Sequence, residues 1–405
     1  MLFITKTRSE GLSPALRSWR TAVSFSQHPY PGTRGVAMTT VVLAVVTIVL
    51  GGLMTPLTLA AQNTLAADMA QLFSYYSENT GLIGSSWWQA AVALSTVEAY
   101  AQATGDNSYD TAIASAFELH SGGDFENNSD DDTAWWALVW LQAYDLTHVS
   151  AYLSMAETDA DYIHEGWDRA CGGGIWWQRN PGYYKTAISN ELFLELTAWL
   201  HNTINGDVKY LRWAEAEWTW FSHSGMINGS DLVNDGVDGN CTNNGAPTWT
   251  YNQGVILAGL AQLYQATGNR SLLRTAEQIA RAAIGQLTVD GVLTEPCRGS
   301  GCAARLDRDT QAFKGIFVQD LKVLAVTAGT SQFNAFFSKQ ARSIDADDAT
   351  ALHHFGMSWS GPAADVSSAT QASALDALIA ALDLPGADRH KNSLVIRFTE
   401  CLQIR

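Results

Sequence analysis

The sequence predicts an all-α protein, an (α/α)6 toroid of about twelve helices in six hairpins, on three observations. From residue 62 onward apolar residues recur at helical rather than strand spacing, and the few prolines fall between the periodic segments. Several segments end in one device, a glycine at the helix end followed at once by a polar cap and a new apolar pattern. It occurs at Ala103-Thr104-Gly105-Asp106, Asn202-Thr203-Ile204-Asn205-Gly206-Asp207, Ala266-Thr267-Gly268-Asn269 and Thr327-Ala328-Gly329-Thr330, with the last two intervals at roughly 60 residues, the mark of repeated hairpins. Finally, short turns at one end of the hairpins alternate with long connections at the other, over 79–86, 121–131, 168–186, 223–250 and 286–308. A two-layer helical solenoid has the same local pattern and stays open at this point.

In chain order the expected helices are 62–77, 86–104, 109–120, 132–146, 150–167, 187–204, 207–222, 251–266, 270–285, 308–327, 331–344 and 368–383. The second, sixth, eighth and tenth stop at the glycine devices. The fourth starts at Asp130-Asp131-Asp132, since aspartate side chains meet the unsatisfied N–H groups and the positive end of the helix dipole. The sixth opens near Ser189, a good N-cap, and the eighth follows Pro247. No Pro-rich, Ser-rich or repetitive linker divides these elements, so residues 61–385 read as one domain. Residues 1–60 form an N-terminal extension and secretory signal, and 386–405 a tail.

Residues 35–67 carry no charge, and Val41 to Leu50 is apolar apart from Thr47, with Arg17, Arg20 and Arg34 upstream. That is the layout of a secretory signal, with a cleavage point after Ala60; a retained signal anchor is the competing reading. Four Asn-x-Ser/Thr triplets agree with export, at Asn127, Asn228, Asn240 and Asn269. Cys297 and Cys302 bracket a four-residue flexible loop and are expected to form a disulfide. Cys171 and Cys241 leave a second bridge open, which would strand Cys401. The net charge of −16, from 40 acidic and 24 basic residues, excludes a nucleic-acid partner, because no segment supplies a basic face.

The chemistry concentrates in the long connections. Asp130-Asp131-Asp132 runs into Thr133-Ala134-Trp135-Trp136, acids beside aromatic faces on which sugar rings stack. At a helix entry two adjacent carboxyls can converge to the roughly 5 Å separation that a retaining glycosidase uses. The bland alternative is an acidic helix cap. Residues 171–191 combine a run of three glycines with the flat faces of Trp176, Trp177, Tyr183 and Tyr184, the bland alternative being that one ring of each tryptophan pair packs in the core. Residues 232–254 are rich in Asp, Asn and aromatics but lack calcium-loop spacing, and His353-His354 lack the partners of a zinc site.

This combination resembles glycoside hydrolase family 76, the endo-α-1,6-mannanases, and particularly its fungal cell-wall branch. The resemblance rests on Asp131-Asp132-Thr133-Ala134-Trp135-Trp136, Gly173-Gly174-Ile175-Trp176-Trp177, the run from Lys185 to Leu192, Asp235-Gly236, Thr250-Tyr251-Asn252-Gln253-Gly254 and Phe313-Lys314-Gly315-Ile316-Phe317, in order over about 62–385. It implies an (α/α)6 fold and retaining cleavage of α-1,6-linked mannose, with Asp131 as nucleophile, Asp132 as acid/base and Asp235 touching sugar near the cleavage point. Trp135, Trp136, Trp176, Trp177, Asn190, Tyr251, Asn252 and Lys314 complete the expected substrate-binding set. No metal or other cofactor is expected. The implied partner is α-1,6-mannan or a mannooligosaccharide. The alternatives are a wall transglycosylase acting on the mannose core of GPI anchors with glucan as acceptor, or an inactive glycan-binding toroid. The expected place is outside the cell or in the wall, with membrane attachment only through a retained N-terminal anchor.

Overall fold

The computed structural model describes residues 56–179, 184–296, 308–382 and 384. Twelve α-helices occupy them: α1 (Pro56–Phe73), α2 (Trp87–Thr104), α3 (Asp110–His120), α4 (Asp130–Thr147), α5 (Ser150–Glu165), α6 (Ala187–Thr203), α7 (Lys209–His223), α8 (Thr250–Thr267), α9 (Arg270–Gln286), α10 (Thr310–Ala328), α11 (Asn334–Ser343) and α12 (Ser368–Ala380). Each expected helix has its counterpart. The main departure is α1, which spans 56–73 rather than 62–77. Pro56 suits a first helical position, where its missing N–H costs nothing, and Tyr76–Ser77 (β1) instead pairs with Leu82–Ile83 (β2). The expected cleavage point after Ala60 falls inside α1. Two further antiparallel pairs join Lys185–Thr186 (β3) to Gly236–Val237 (β4) and Thr288–Val289 (β5) to Val292–Leu293 (β6). The apolar signal segment, the Cys297/Cys302 pair, Tyr183 and Cys401 lie outside the described residues.

Helices α2, α4, α6, α8, α10 and α12 each pack on the next, and α12 packs back on α2. This closure selects the toroid over the solenoid. Helices α3, α5, α7, α9 and α11 lie outside, each against the inner ring. The sequences match the layers: α6 is buried without a break from Ala187 to Ala198, whereas α9 buries only the stripe Leu272, Ala276, Ile279, Ala280 and Ala283. An all-round buried helix belongs inside and a one-stripe helix at the surface. Glycines set the closest approaches in the ring. A methyl group on Gly254 would meet Phe317 Cα at 2.6 Å, and one on Gly315 would meet Ser373 Cα at 2.4 Å.

Three of the four expected helix-ending glycines cap their helices, whereas α6 ends on an extended Ile204, two residues before Gly206. Gly105, Gly268 and Gly329 cap α2, α8 and α10 in the left-handed conformation. His148 takes that role at the end of α4, with φ 56°. Inner helices thus return to outer ones through short turns, and outer helices lead to the next inner one through the long connections. All six inner helices therefore run in one direction, with their N-termini at the long-loop mouth.

Below the mouth the ring encloses a cavity of about 750 Å³, lined among others by Trp135, Gln142, Glu195, Asp320 and Asp376. Along α4 its lining runs from Trp135 to Leu146, away from Asp131 and Asp132. Burial pushes Glu195 and Asp376 up to about 8, and Asp320 well above the usual carboxylate range. Carboxyls that ionise near pH 4 in an unfolded chain thus stay protonated in the fold. Folding takes up protons between these values, so this stability is complete below about pH 4 and is lost as pH rises toward 8. Calorimetry should show a melting temperature that falls from pH 5 to pH 8.5, with Glu195→Gln flattening the fall. A melting temperature that rises over this range would contradict the protonated interior.

Candidate active site

The first turn of α4 carries Asp130, Asp131 and Asp132 behind an extended N-cap at Ser129. The three point to different surroundings, as successive helical residues must. Asp130 is buried against the Arg179 guanidinium at 2.8 Å, and Arg179 in turn lies over the Tyr162 ring at 3.4 Å. It anchors the helix start. Asp131 accepts a hydrogen bond from Trp177 Nε1 at 3.2 Å, and Asp132 accepts one from Asn127 Nδ2 at 2.7 Å. The backbone N–H groups of Asp131 and Asp132 also lie close enough to the buried Asp131 carboxyl to favour its charged form. Burial, with the Asp132 charge beside it, pushes Asp131 up to about 8. Asp132 is also raised by burial, against the pull of Asn127. Two such neighbours titrate as a pair rather than independently.

Around the pair the mouth is walled by rings in succession. Trp135 stacks with Trp88 at 6.0 Å, Trp88 reaches Phe313 at 6.2 Å, and Phe313 lies flat on Tyr251 at 3.8 Å. Across from them Trp177 meets Tyr184 at 6.0 Å, whose hydroxyl donates to Asp235 Oδ2 at 2.8 Å. Asp235 is raised by burial. Asp309, at the N-cap of α10, accepts from Trp88 Nε1 at 3.1 Å and is close enough to Asp132 to raise it. The arrangement sets three carboxyls and flat apolar faces on one cleft, which suits a ring substrate bearing hydroxyls.

Of the expected set, Trp135, Trp177, Tyr251 and Asp235 come together with Asp131 and Asp132. Four others do not. Trp136 is fully buried against Trp87, Phe125 and Trp140, the core member of its pair. Asn190 is fully buried, and its amide accepts from Ile175 N and donates to the carbonyls of Ile175 and Thr186. Asn252 is fully buried in the first turn of α8, with neither amide atom hydrogen-bonded to another described residue. Lys314 is buried with Nζ on the Met357 carbonyl at 2.6 Å and 4.4 Å above Trp359; burial pulls it down to about 8. Trp176 donates to Asp168 and faces the Lys185 ammonium at 4.9 Å, so it braces the loop. Among the glycan acceptors, Asn240 and Asn269 are exposed, while the amide nitrogens of Asn127 and Asn228 are engaged with Asp132 and Asn234.

The sequence reading missed Trp88, Asp309 and the Tyr184 to Asp235 bond. Trp88 had a usable signal, the second of a tryptophan pair at the start of an inner helix. Asp309 and Tyr184 lie on connections whose path only the fold defines. It also missed the loop clamps. Gln253 accepts from Val233 N at 2.7 Å and donates to Val233 O at 2.8 Å; Gln371 binds Phe355 N and His353 O. With Asn190, these buried amides act as one rung of a sheet, pinning long loops to inner helices. Among the described residues, no group of three or more His, Cys, Asp or Glu is arranged to hold a metal ion.

The Gly-rich loop has the strongest clamp. Lys185 Nζ lies within 2.6 to 3.0 Å of Asp168 Oδ1 and the carbonyls of Ala170, Gly173 and Gly174. Gly173 and Gly174 have positive φ, and a Cβ would meet Trp167 at 2.8 Å on Gly173 and Trp220 at 2.5 Å on Gly174. The Cys171–Cys241 disulfide ties this loop to the one carrying Asp235, the second bridge that the cysteine pattern left open.

The sequence model of glycosyl hydrolase family 76 matches residues 58–389. The chain belongs to this family. Among its relatives, the Saccharomyces cerevisiae mannan endo-1,6-alpha-mannosidase DCW1 is 30% identical over 296 residues, covering 65% of each chain. The chain thus spans less than two thirds of the length of the first curated relatives it matches. The solved GH76A alpha-1,6-mannanase from Salegentibacter sp. HEL1_6 superposes with a TM-score of 0.71 at 24% identity, over 80% of this chain and all of that one. Dfg5 from Chaetomium thermophilum, solved with glucosamine, gives 0.70 at 22% identity, over 80% of this chain and 90% of that one. These likenesses bear out the (α/α)6 fold.

Replacing Lys185 with Met should leave the buried carbonyls of Gly173 and Gly174 without a donor, at about 1–3 kcal/mol each. Denaturant titration should register a loss of about 3 kcal/mol or more. Unchanged stability would contradict the clamp.

Proposed function

We propose that this chain is a retaining glycosidase acting on α-1,6-mannosidic linkages, with Asp131 and Asp132 as its catalytic pair. The supporting observation is two adjacent carboxyls on the first turn of an inner helix, both raised by burial and set at an aromatic-walled mouth. A related toroid made inactive by replacing two consecutive aspartates with alanine is described in complex with alpha-1,6-mannotetrose. The curated relatives bear the name mannan endo-1,6-alpha-mannosidase.

In this mechanism Asp131 attacks the anomeric carbon while Asp132 protonates the departing glycosidic oxygen. In the ligand-free site burial favours the protonated form of the deeper Asp131. Arrival of the glycosidic oxygen beside Asp132 gives that proton a better place, and it passes to Asp132 and leaves Asp131 ionised. The positive end of α4 and Trp177 Nε1 then stabilise the Asp131 carboxylate before it reacts. Asp132 next acts as base and draws a proton from an acceptor hydroxyl, which displaces Asp131 from the sugar. Trp135, Trp177 and Tyr251 supply stacking faces, and Asp235 takes hydrogen bonds from sugar hydroxyls beside Tyr184. Water as acceptor gives hydrolysis. A sugar hydroxyl gives transglycosylation, the wall-remodelling alternative on GPI-anchor mannose and glucan.

Product analysis by mass spectrometry on linear α-1,6-mannooligosaccharides tests this reading. Wild type should yield shorter products, and Asp131→Asn and Asp132→Asn should each lose about 10²- to 10⁴-fold in rate. Products longer than the substrate would place the chain with the transglycosylases. A folded wild type that leaves the oligosaccharides unchanged would overturn the mannanase reading.

A further inference from the structure

We infer that Asn127 is a positioning residue for Asp132 and that the glycosylation triplet beginning there is left unmodified in the folded protein. The inference rests on the proposed role of the acid pair. Asn127 is held from every side. Its Oδ1 accepts from Ser129 N at 2.6 Å, its backbone N–H donates to Thr133 Oγ1 at 3.2 Å, and its carbonyl accepts from the Tyr162 hydroxyl at 2.9 Å. With the backbone and Oδ1 fixed, one direction remains for Nδ2, and it points at Asp132 Oδ2 at 2.7 Å. A primary amide locked this way delivers its N–H to a carboxyl oxygen without the entropy cost of ordering a free side chain.

The bond fixes which rotamer Asp132 presents to the cleft, and it favours the ionised form of that carboxyl. Trp177 Nε1 does the same for Asp131 from the opposite loop. Asp132 thus sits between Asn127 and Asp309, one donating a hydrogen bond and the other contributing negative charge. Removing the donor leaves only the groups that raise it, so Asp132 becomes harder to ionise.

Nδ2 is also the atom that would carry a glycan in Asn127-Asn128-Ser129. A sugar there would occupy the space between Asn127 and Asp132 and break the bond. The neighbouring acceptors differ, since Asn240 and Asn269 are exposed.

Three variants and one occupancy measurement test the inference. Asn127→Asp keeps the oxygen that accepts from Ser129 N, and so keeps the turn, but replaces the donor with a second acid. Its melting temperature should stay near wild type, while kcat falls about 10- to 100-fold with KM little changed and the pH–rate profile moves to higher pH. Asn127→Ala should lower kcat by a similar factor with a smaller displacement. Ser129→Ala removes the triplet, keeps Asn127, and should keep wild-type rates. Peptide mass spectrometry of the protein secreted from a eukaryotic host should find Asn127 unmodified. An unshifted pH profile in Asn127→Asp, or a glycan on Asn127 in folded protein, would overturn the inference. If wild type proves inactive on α-1,6-mannooligosaccharides, the mannanase reading fails by itself, and the occupancy at Asn127 still decides this one.

Discussion

The parallel direction of the six inner helices governs everything else in this molecule. Strict alternation of inner and outer helices, enforced by short turns at Gly105, His148, Gly268 and Gly329, brings all six inner N-termini to one mouth. The positive ends of their dipoles then converge there. Carboxylates at this mouth are favoured by the backbone while burial disfavours their charge. Asp131 sits at that balance, raised by burial and held by Trp177.

Such a mouth has to be built from long loops, and loops lose conformational entropy on ordering that they cannot recover from their own contacts. The chain fixes them from below. Asn190, Gln253 and Gln371 each offer a buried amide that satisfies backbone N–H and C=O groups in the loops. Lys185 gathers three carbonyls and Asp168, and the Cys171–Cys241 bridge joins two loops that carry Trp177 and Asp235. The polar residues closest in sequence to the aromatic motifs are thus mostly supports. They place Trp177 and Tyr184 around the acids.

That division explains what the sequence made legible. Helix number, order and most boundaries followed from periodicity and from the glycine turns, because both report local backbone physics. Asp131 and Asp132 stood out as acids at a helix entry, and Trp135 and Trp177 as rings beside them. Asn190 and Lys314 misled, since a polar residue in a shared motif has the same letter whether it meets a ligand or a loop carbonyl. Trp136 could not be told from Trp135 without knowing which side of α4 faces Phe125 and Trp140. Asn127 read as a glycan acceptor because its bond to Asp132 depends on the turn through Ser129, which no short pattern displays.

The central claim is that Asp131 forms a covalent bond to the sugar while Asp132 moves the proton. A slowly released fluorinated α-mannosyl substrate, quenched under acid and followed by peptide mass spectrometry, tests it most directly. The account predicts one added mannosyl unit on the peptide containing Asp131, placed on Asp131 itself by fragmentation and absent in Asp131→Asn. A label on Asp132 or Asp235, or turnover of the substrate with inverted configuration and no adduct, would contradict it.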